Sequence, residues 1–464
     1  MIFSSVTFLF YFLPLFFMLY YVAPGLTTKN VVLLLASLIF YLWGEPWFVA
    51  ILILIIVLNY AIALALDRSD GWRRTAWTTA GITANLLGLG VFKYLDFVVQ
   101  NLAGLFGKGV INIGFLGFLP LGISFISFHA ISYLVDIKRG KVAANKDPLQ
   151  VAVYLLMFPQ LVAGPIVRYN TIFLRLATRR STMGRASAGV RIFIIGLAQK
   201  VLIADETARI AEVVFDRVVA PSFLESWLGV SAYTLQIYFD FMGYSNMAIG
   251  LALALGMRFP RNFRLPYESR SVTEFWRRWN MSLSAWFRDY VYIPLGGNRG
   301  SNFRTYLNLG AVFLLCGLWH GANWTFLVWG THHGFFLIIE RAGLSRWLKA
   351  ASPIVSSLYA LLAVMTGWVW FRARDLSRAT EMFSAMAGFN GFSSLDFLTR
   401  IVLYPTTVGA LVIGAALAVL WVPRLKIAPV PTWLSDTAAT AALFALSILS
   451  VAAGSYSPFL YFRF

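Results

Sequence analysis

The chain has 464 residues, of which 59% are hydrophobic and only 12% charged, with a mean hydropathy of +0.72; a soluble domain carries roughly 25% charged residues, so that class is excluded. A net charge of +18 would point to nucleic acid in a soluble protein. Here the basic residues gather in loops between apolar runs, which reads as positive loops kept in the cytoplasm, with part of the surplus open to an anionic substrate such as a coenzyme phosphate. A single cysteine, Cys316, excludes an intramolecular disulfide and a cysteine-built metal cage.

The N-terminus, MIFSSVTFLFYFLPLFFMLYYVAPG, has no positive leader and no side-chain charge before Lys29. It reads as a retained first helix, and Lys29 on the inner side would put the N-terminus outside. Apolar segments follow near 6–23, 31–45, 47–66, 77–97, 114–134, 192–206, 226–256, 305–320, 324–341, 354–371, 403–422 and 436–452. Some are too short to span, so about 11 transmembrane helices are expected. Tyr20, Trp43, Trp47, Tyr94 and Trp227 lie near segment ends, where an interfacial aromatic belt belongs.

Residues 151–167, VAVYLLMFPQLVAGPIV, lie between the basic loops KRGKVAANK (138–146) and 168–191. If both loops are cytoplasmic, the segment enters and leaves on one side, and Pro159, Gly164 and Pro165 break a straight helix. A re-entrant hairpin fits better than the alternative, a kinked spanning helix. Residues 257–304 form the longest polar excursion and concentrate arginine. With no internal repeat and no soluble second domain, one membrane-embedded domain over 1–464 is expected, its motif core at about 120–340.

Polar groups inside apolar runs cost roughly 2.5–3.5 kcal/mol for a charge and are functional by default, which directs attention to the four histidines. His320 lies in CGLWHGANW, where glycines leave room around the ring and Trp319 and Trp324 can wall a pocket; a neutral imidazole suits general-base work, an interhelical hydrogen bond being the alternative. His333 follows 13 positions later (333 − 320), roughly 20 Å along a continuous helix, so the two are not expected at one reacting atom unless Gly321 breaks the helix. His332 and His333 diverge and make a poor metal pair, and no HExxH-like spacing exists, so no metal is expected. His129, near Ser127 and Ser132, reads as bonded to a neighbouring helix rather than lining a polar path. Cys316 shares a helix face with His320 at i, i+4 but reads as a small core residue rather than a nucleophile.

Three stretches, in order, carry more information together: FPQLVAGPIVRY (158–169), EFWRRWNMSLSAWFRDYVYIPLGGNRG (274–300) and LWHGANWTFLVWGTHHG (318–334). They resemble the membrane-bound O-acyltransferase superfamily, and within it the bacterial branch of alginate O-acetyltransferases and D-alanyl-lipoteichoic-acid transferases. The resemblance runs over nearly the whole chain and is least distinctive beyond about residue 375. It implies an all-α polytopic integral membrane protein, with re-entrant or short helices around a central funnel or tunnel, that moves an acyl group from a thioester to a hydroxyl. The family's hallmark histidine matches His320. Its second active-site position, a His, Asn or Asp, matches Asn280, where the polysaccharide acetyltransferases usually read WRRWH. Relatives also commonly carry Gln in place of His129.

In this reading His320 is the base and Asn280 orients the substrate or donates to the oxyanion. Arg277, Arg278 and Arg288 hold coenzyme phosphates, and Trp276, Trp279 and Trp286 wall a channel for the acyl-bearing arm. Asp289, Tyr290, Gln160, His129 and His333 complete the candidate substrate contacts. No cofactor is bound permanently; acetyl-CoA is the expected co-substrate. The expected setting is the bacterial inner membrane, with the lipid bilayer and a periplasmic acetyltransferase or acceptor as partners and no nucleic acid. The expected product is an acetylated exported polysaccharide such as alginate or cellulose. The rivals are D-alanyl transfer from a carrier protein to teichoic acid, and a transporter or channel without chemistry.

Overall fold

The computed structural model describes residues 2–107, 109–111, 113–114, 119–419, 432–454 and 459–460, with side chains from 437 onward in the last long helix. These residues form helices and loops, with no strand among them. Contacts divide the chain into two compact units, Met1–Phe193 with Met247–Pro260, and Ile194–Asn246 with Arg261–Phe464. The multi-pass membrane character read from the sequence holds: among the described residues five helices are long and apolar enough to cross a bilayer, Gly25–Gly44, Pro46–Asp67, Gly71–Leu105, Met183–Arg217 and Pro353–Arg372. They leave large apolar side chains exposed, among them Leu54, Val57, Leu58 and Leu87, which in water would be a liability and in lipid is the ordinary surface.

In the first unit, α1 (Leu13–Val22), α2 (Gly25–Gly44), α3 (Val49–Asp67), α4 (Gly71–Leu89), α5 (Leu95–Leu105) and α6 (Ile123–Lys138) are separated by Pro24, Pro46, Gly71 and the left-handed Gly122. Asn59 of α3 and Asn85 of α4 exchange two buried amide hydrogen bonds of 3.2 and 2.8 Å, the polar cross-link expected between apolar helices. The suspected re-entrant segment is two helices, α7 (Pro148–Leu156) and α8 (Phe158–Leu161), broken at Met157 (φ −52°, ψ 124°). At 9 and 4 residues neither reaches the ~17–25 residues a span needs, which favours the re-entrant hairpin over the kinked spanning helix. Its backbone is buried almost throughout 151–167, the condition under which broken helices are tolerated at membrane depth. Next come α9 (Tyr169–Thr178) and the greater part of α10 (Met183–Ala198), whose residues from Ile194 belong to the second unit.

The second unit holds α11 (Asp205–Glu212), most of α12 (Phe223–Ala254), then α13 (Val272–Arg278) and α14 (Met281–Phe287) inside the polar excursion. After these come α15 (Asn302–His320), α16 (Trp324–Ile339), α17 (Ser345–Ala350), α18 (Pro353–Arg372), α19 (Leu376–Met386), α20 (Phe397–Val402), α21 (Pro405–Val419) and α22 (Thr432–Ala452). Before α11, the π-helical turn Gln199–Ala204 carries a buried Lys200 whose Nζ pairs with Asp205 at 2.6 Å and Asp240 at 2.8 Å, so each buried charge has an opposite partner.

The α15–α16 hairpin corrects one expectation. Gly321 leaves the helix in an extended conformation (φ −169°, ψ 154°), and Asn323 caps α16 by accepting from the Thr325 N–H at 3.0 Å. The two helices then run side by side, because Gly317 and Gly330 lack the side chains that would collide with the carbonyls of Phe326 and Phe313. His320 and His333 therefore lie against the same ring, Trp329, at 4.9 and 5.1 Å between centroids, not at the two ends of a 20 Å rod.

Candidate active site

Helix α13 is short and two-sided. Val272, Phe275, Trp276 and, just past its end, Trp279 are buried, while Thr273, Glu274, Arg277 and Arg278 face a cavity; this is the i, i+3, i+4, i+7 stripe of an amphipathic helix. Its start is fixed by Ser271, whose hydroxyl accepts from the Glu274 N–H at 3.0 Å, while the Glu274 carboxylate accepts from the Arg270 N–H at 2.9 Å. That arrangement is close to a capping box and is readable in the sequence as SVTE.

The buried side enters an aromatic cluster. Phe275 stacks on Trp279 (5.4 Å, 19° between planes), and Trp279 meets Trp368 of α18 at 5.0 Å. Trp276 meets Trp329 of α16 at 5.8 Å and His333 at 5.2 Å. His320, buried at the end of α15, is enclosed by Trp319, Trp329 and Phe371 at 4.8, 4.9 and 5.1 Å. Trp319 is thus a wall of the histidine's surroundings, whereas Trp324 is half exposed. His333 is fully buried with its ring parallel to Phe275 (7°). Trp329, Trp368 and Phe371 were not singled out from the sequence; their WxxHH and WxxF spacings inside apolar runs look like ordinary core.

The other side of α13 lines a cavity of about 590 Å³. Arg264, Arg270, Arg277 and Lys349 line it without an ion pair among the described residues, while Arg278 is held by Glu268 at 3.3 Å and Glu274 at 2.6 Å. An unpaired cationic cavity of this size suits a polyphosphate. Of the three arginines proposed for that task, Arg277 lines the cavity free of pairing and Arg278 lines it paired. Arg288 is largely exposed, pairs with its neighbour Asp289 at 2.7 Å, and is not among the lining residues. Tyr290 lies against Trp286 at 5.3 Å. Arg264 and Arg270 lie in the arginine-rich excursion 257–304 without having been given a role there, and Lys349 comes from a separate stretch that only the fold brings to the cavity.

Asn280 links α13 to α14. It is buried at φ 40°, ψ 56°, one of two non-glycine residues with positive φ among those described, and its side chain does not cap α14. The bends around it are held by Asn262, whose carbonyl accepts from the Met281 N–H at 2.9 Å and whose side chain accepts from Ser282 at 2.8 Å.

His129 and Gln160 belong to the first unit. His129 accepts the Val167 N–H on Nε2 at 3.3 Å, so it bonds the loop before α9 rather than a neighbouring helix. Gln160 donates to the Tyr154 carbonyl, one of the groups that the end of α7 leaves open.

The sequence profile of the membrane-bound O-acyltransferase family matches residues 35–371. The chain belongs to the membrane-bound O-acyltransferase family. It is a multi-pass membrane enzyme and an O-acyltransferase. The probable alginate O-acetylase AlgI of Azotobacter vinelandii is 40% identical over the full length of both chains. The peptidoglycan O-acetyltransferase of Helicobacter pylori is 33% identical over all of this chain and 98% of its own. The teichoic acid D-alanyltransferase of Streptococcus thermophilus is more distant, 29% identical over 50% of this chain and 59% of its own.

Proposed function

We propose that this family member acetylates hydroxyls of an exported polysaccharide, drawing acetyl from acetyl-CoA on the cytoplasmic side of the bacterial inner membrane. The acetyl group passes through the protein to an outward-facing acceptor or a periplasmic acetyltransferase, and the N-terminus faces the periplasm. The full-length relatives named for acetylating alginate and peptidoglycan support a polysaccharide acceptor over the teichoic acid reading, which rests on half the chain.

One observation carries the reading: α13 turns Glu274, Arg277 and Arg278 to a basic cavity and its aromatic side to the cluster that encloses His320. A donor with phosphates at one end and a thioester at the other needs those two surroundings back to back. Arg264, Arg270, Arg277 and Lys349 hold the phosphates, and the tryptophan-lined side receives the acyl-bearing arm.

The chemistry follows from residue types. The imidazole of His320 takes the proton of the acceptor hydroxyl as its oxygen attacks the thioester carbonyl. The tetrahedral oxyanion accepts a hydrogen bond from the Asn280 amide, then collapses, and the departing thiolate takes the proton back from His320. A positioned base is typically worth 10²–10⁴-fold, and an oxyanion donor about 10²–10³-fold.

Transfer from radiolabelled acetyl-CoA by the purified protein, compared with His320→Ala, tests the reading. Loss of labelling of at least about 10²-fold, with normal membrane insertion, is expected. Equal labelling by the two proteins would overturn it, and solute flux that survives His320→Ala would favour a transporter.

A further inference from the structure

Glu340, the residue that follows α16, is buried in the second unit and was not suspected from the sequence. Its Oε1 accepts from the Val272 N–H at 2.6 Å and the Tyr359 hydroxyl at 3.2 Å. Its Oε2 accepts from the Thr273 N–H at 2.9 Å and the Thr273 hydroxyl at 2.5 Å. Four donors around one carboxylate compensate its burial. These donors come from only two places, the first turn of α13 and the middle of α18, and the carboxylate itself is fixed to the end of α16. Three of the helices that supply rings around the histidines meet here, with Phe275 and Trp276 from α13, Trp329 from α16 and Trp368 and Phe371 from α18, while Trp319 comes from α15.

We propose that Glu340 is the positioning residue of the active site, a single carboxylate that sets the placement of α13 and so aims Arg277 at the donor cavity and Asn280 at the reacting carbonyl. A helix of seven residues is below the ~12–15 at which helices hold themselves in water, so its placement comes from its contacts. It rises only about 10 Å, so a shift at its first turn reaches Asn280 undamped. The inference rests on reading α13 as a wall of the acyl-transfer site.

The chemistry makes the carboxylate hard to replace. Each oxygen is committed to a backbone N–H, so Glu340→Gln must point its amide N–H₂ at one of those donors whichever way it is turned. Glu340→Asp keeps both acceptors on a shorter stem, and Tyr359→Phe removes one hydroxyl donor and leaves the α13 bonds intact.

The test measures the purified full-length chain by two routes, amide hydrogen exchange and steady-state kinetics with acetyl-CoA. For Glu340→Gln, exchange in residues 272–280 should rise by about tenfold or more, while peptides from α16 and α18 stay near wild type. The kcat should fall about 10- to 100-fold and coenzyme A binding should weaken. Glu340→Asp should recover a substantial part of both, and Tyr359→Phe should change kcat by less than about fivefold. Unchanged exchange across 272–280 would overturn the proposal, as would a rise spread evenly over the three helices. If the wild-type protein does not turn over acetyl-CoA, the donor reading fails, and the exchange pattern still decides the role of Glu340. If Glu340→Gln does not insert, the graded pair Thr273→Val and Thr273→Val/Tyr359→Phe takes its place, with the same localised exchange expected and its absence fatal.

Discussion

Asn280 shows why residue type and backbone must be separated before a role is assigned. Its φ of 40° and ψ of 56° lie in the left-handed region, which costs an ordinary L-residue roughly 1–2 kcal/mol. Asn, Asp and His are the non-glycine types enriched there, and these are the three that the family resemblance allows at this position. The turn that carries the chain from α13 into α14 therefore selects among them for backbone reasons, before any chemistry. Two substitutions divide the effects. Asn280→Gly removes the amide and keeps the conformation cheap, so its thermal stability should stay within about 0.5 kcal/mol of wild type while its acyl-transfer rate falls. Asn280→Ala should lose the rate and roughly 1–2 kcal/mol of stability as well. Because an amide does not titrate near neutral pH, neither variant should move the midpoint of the pH–rate profile; a moved midpoint would count against the orienting role. The strain itself was not visible in WRRWN, where Asn280 is the one residue of a type that tolerates the left-handed region.

At the scale of elements, the apolar segments around 305–320 and 324–341 were legible, but the consequence of Gly321 was only half so. Periodicity gives the length of each helix, whereas a hairpin depends on how closely two backbones approach. That approach is set by Gly317 and Gly330, where an added methyl would meet the Phe326 and Phe313 carbonyls. Backbone oxygens cannot move aside as a side-chain tip can, so Gly330→Ala must spread the hairpin. We expect it to cost about 1–3 kcal/mol, read as a lowered unfolding midpoint in detergent, and to reduce acyl transfer because Trp329 would shift between His320 and His333. Gly310→Ala, where an added methyl meets nothing within 4 Å, is the control, and helix propensity makes it neutral or mildly stabilising. Equal midpoints for the two variants would show that the close approach is not what holds the histidines together. The basic cavity was legible in part: Arg277 and Arg278 announce themselves in the motif and Arg264 and Arg270 belong to the arginine-rich excursion that contains it, while Lys349 enters from elsewhere in the chain.

For the molecule as a whole, the long apolar helices and their order were readable because hydrocarbon thickness imposes length on sequence. Hydropathy alone does not reveal a segment that stays on one side, and for 151–167 the flanking basic loops with Pro159, Gly164 and Pro165 pointed to one. The sidedness of 138–191 follows from combining the two kinds of observation. With α7 and α8 at 9 and 4 residues, joined at a buried break, the chain between KRGKVAANK and the arginine-rich 168–191 has no helix capable of crossing. Positive loops are retained in the cytoplasm, so both should lie there. Cys316 is the single cysteine and is buried, which makes its replacement by serine a workable background for labelling. Lys146 and Arg180 are exposed and flank the segment, so Lys146→Cys and Arg180→Cys can each be probed with a membrane-impermeant maleimide. Both should react in inside-out vesicles and resist labelling in intact spheroplasts. Opposite accessibility of the two sites would mean that the segment crosses after all, and that the positive charge flanking it does not set the topology of this enzyme.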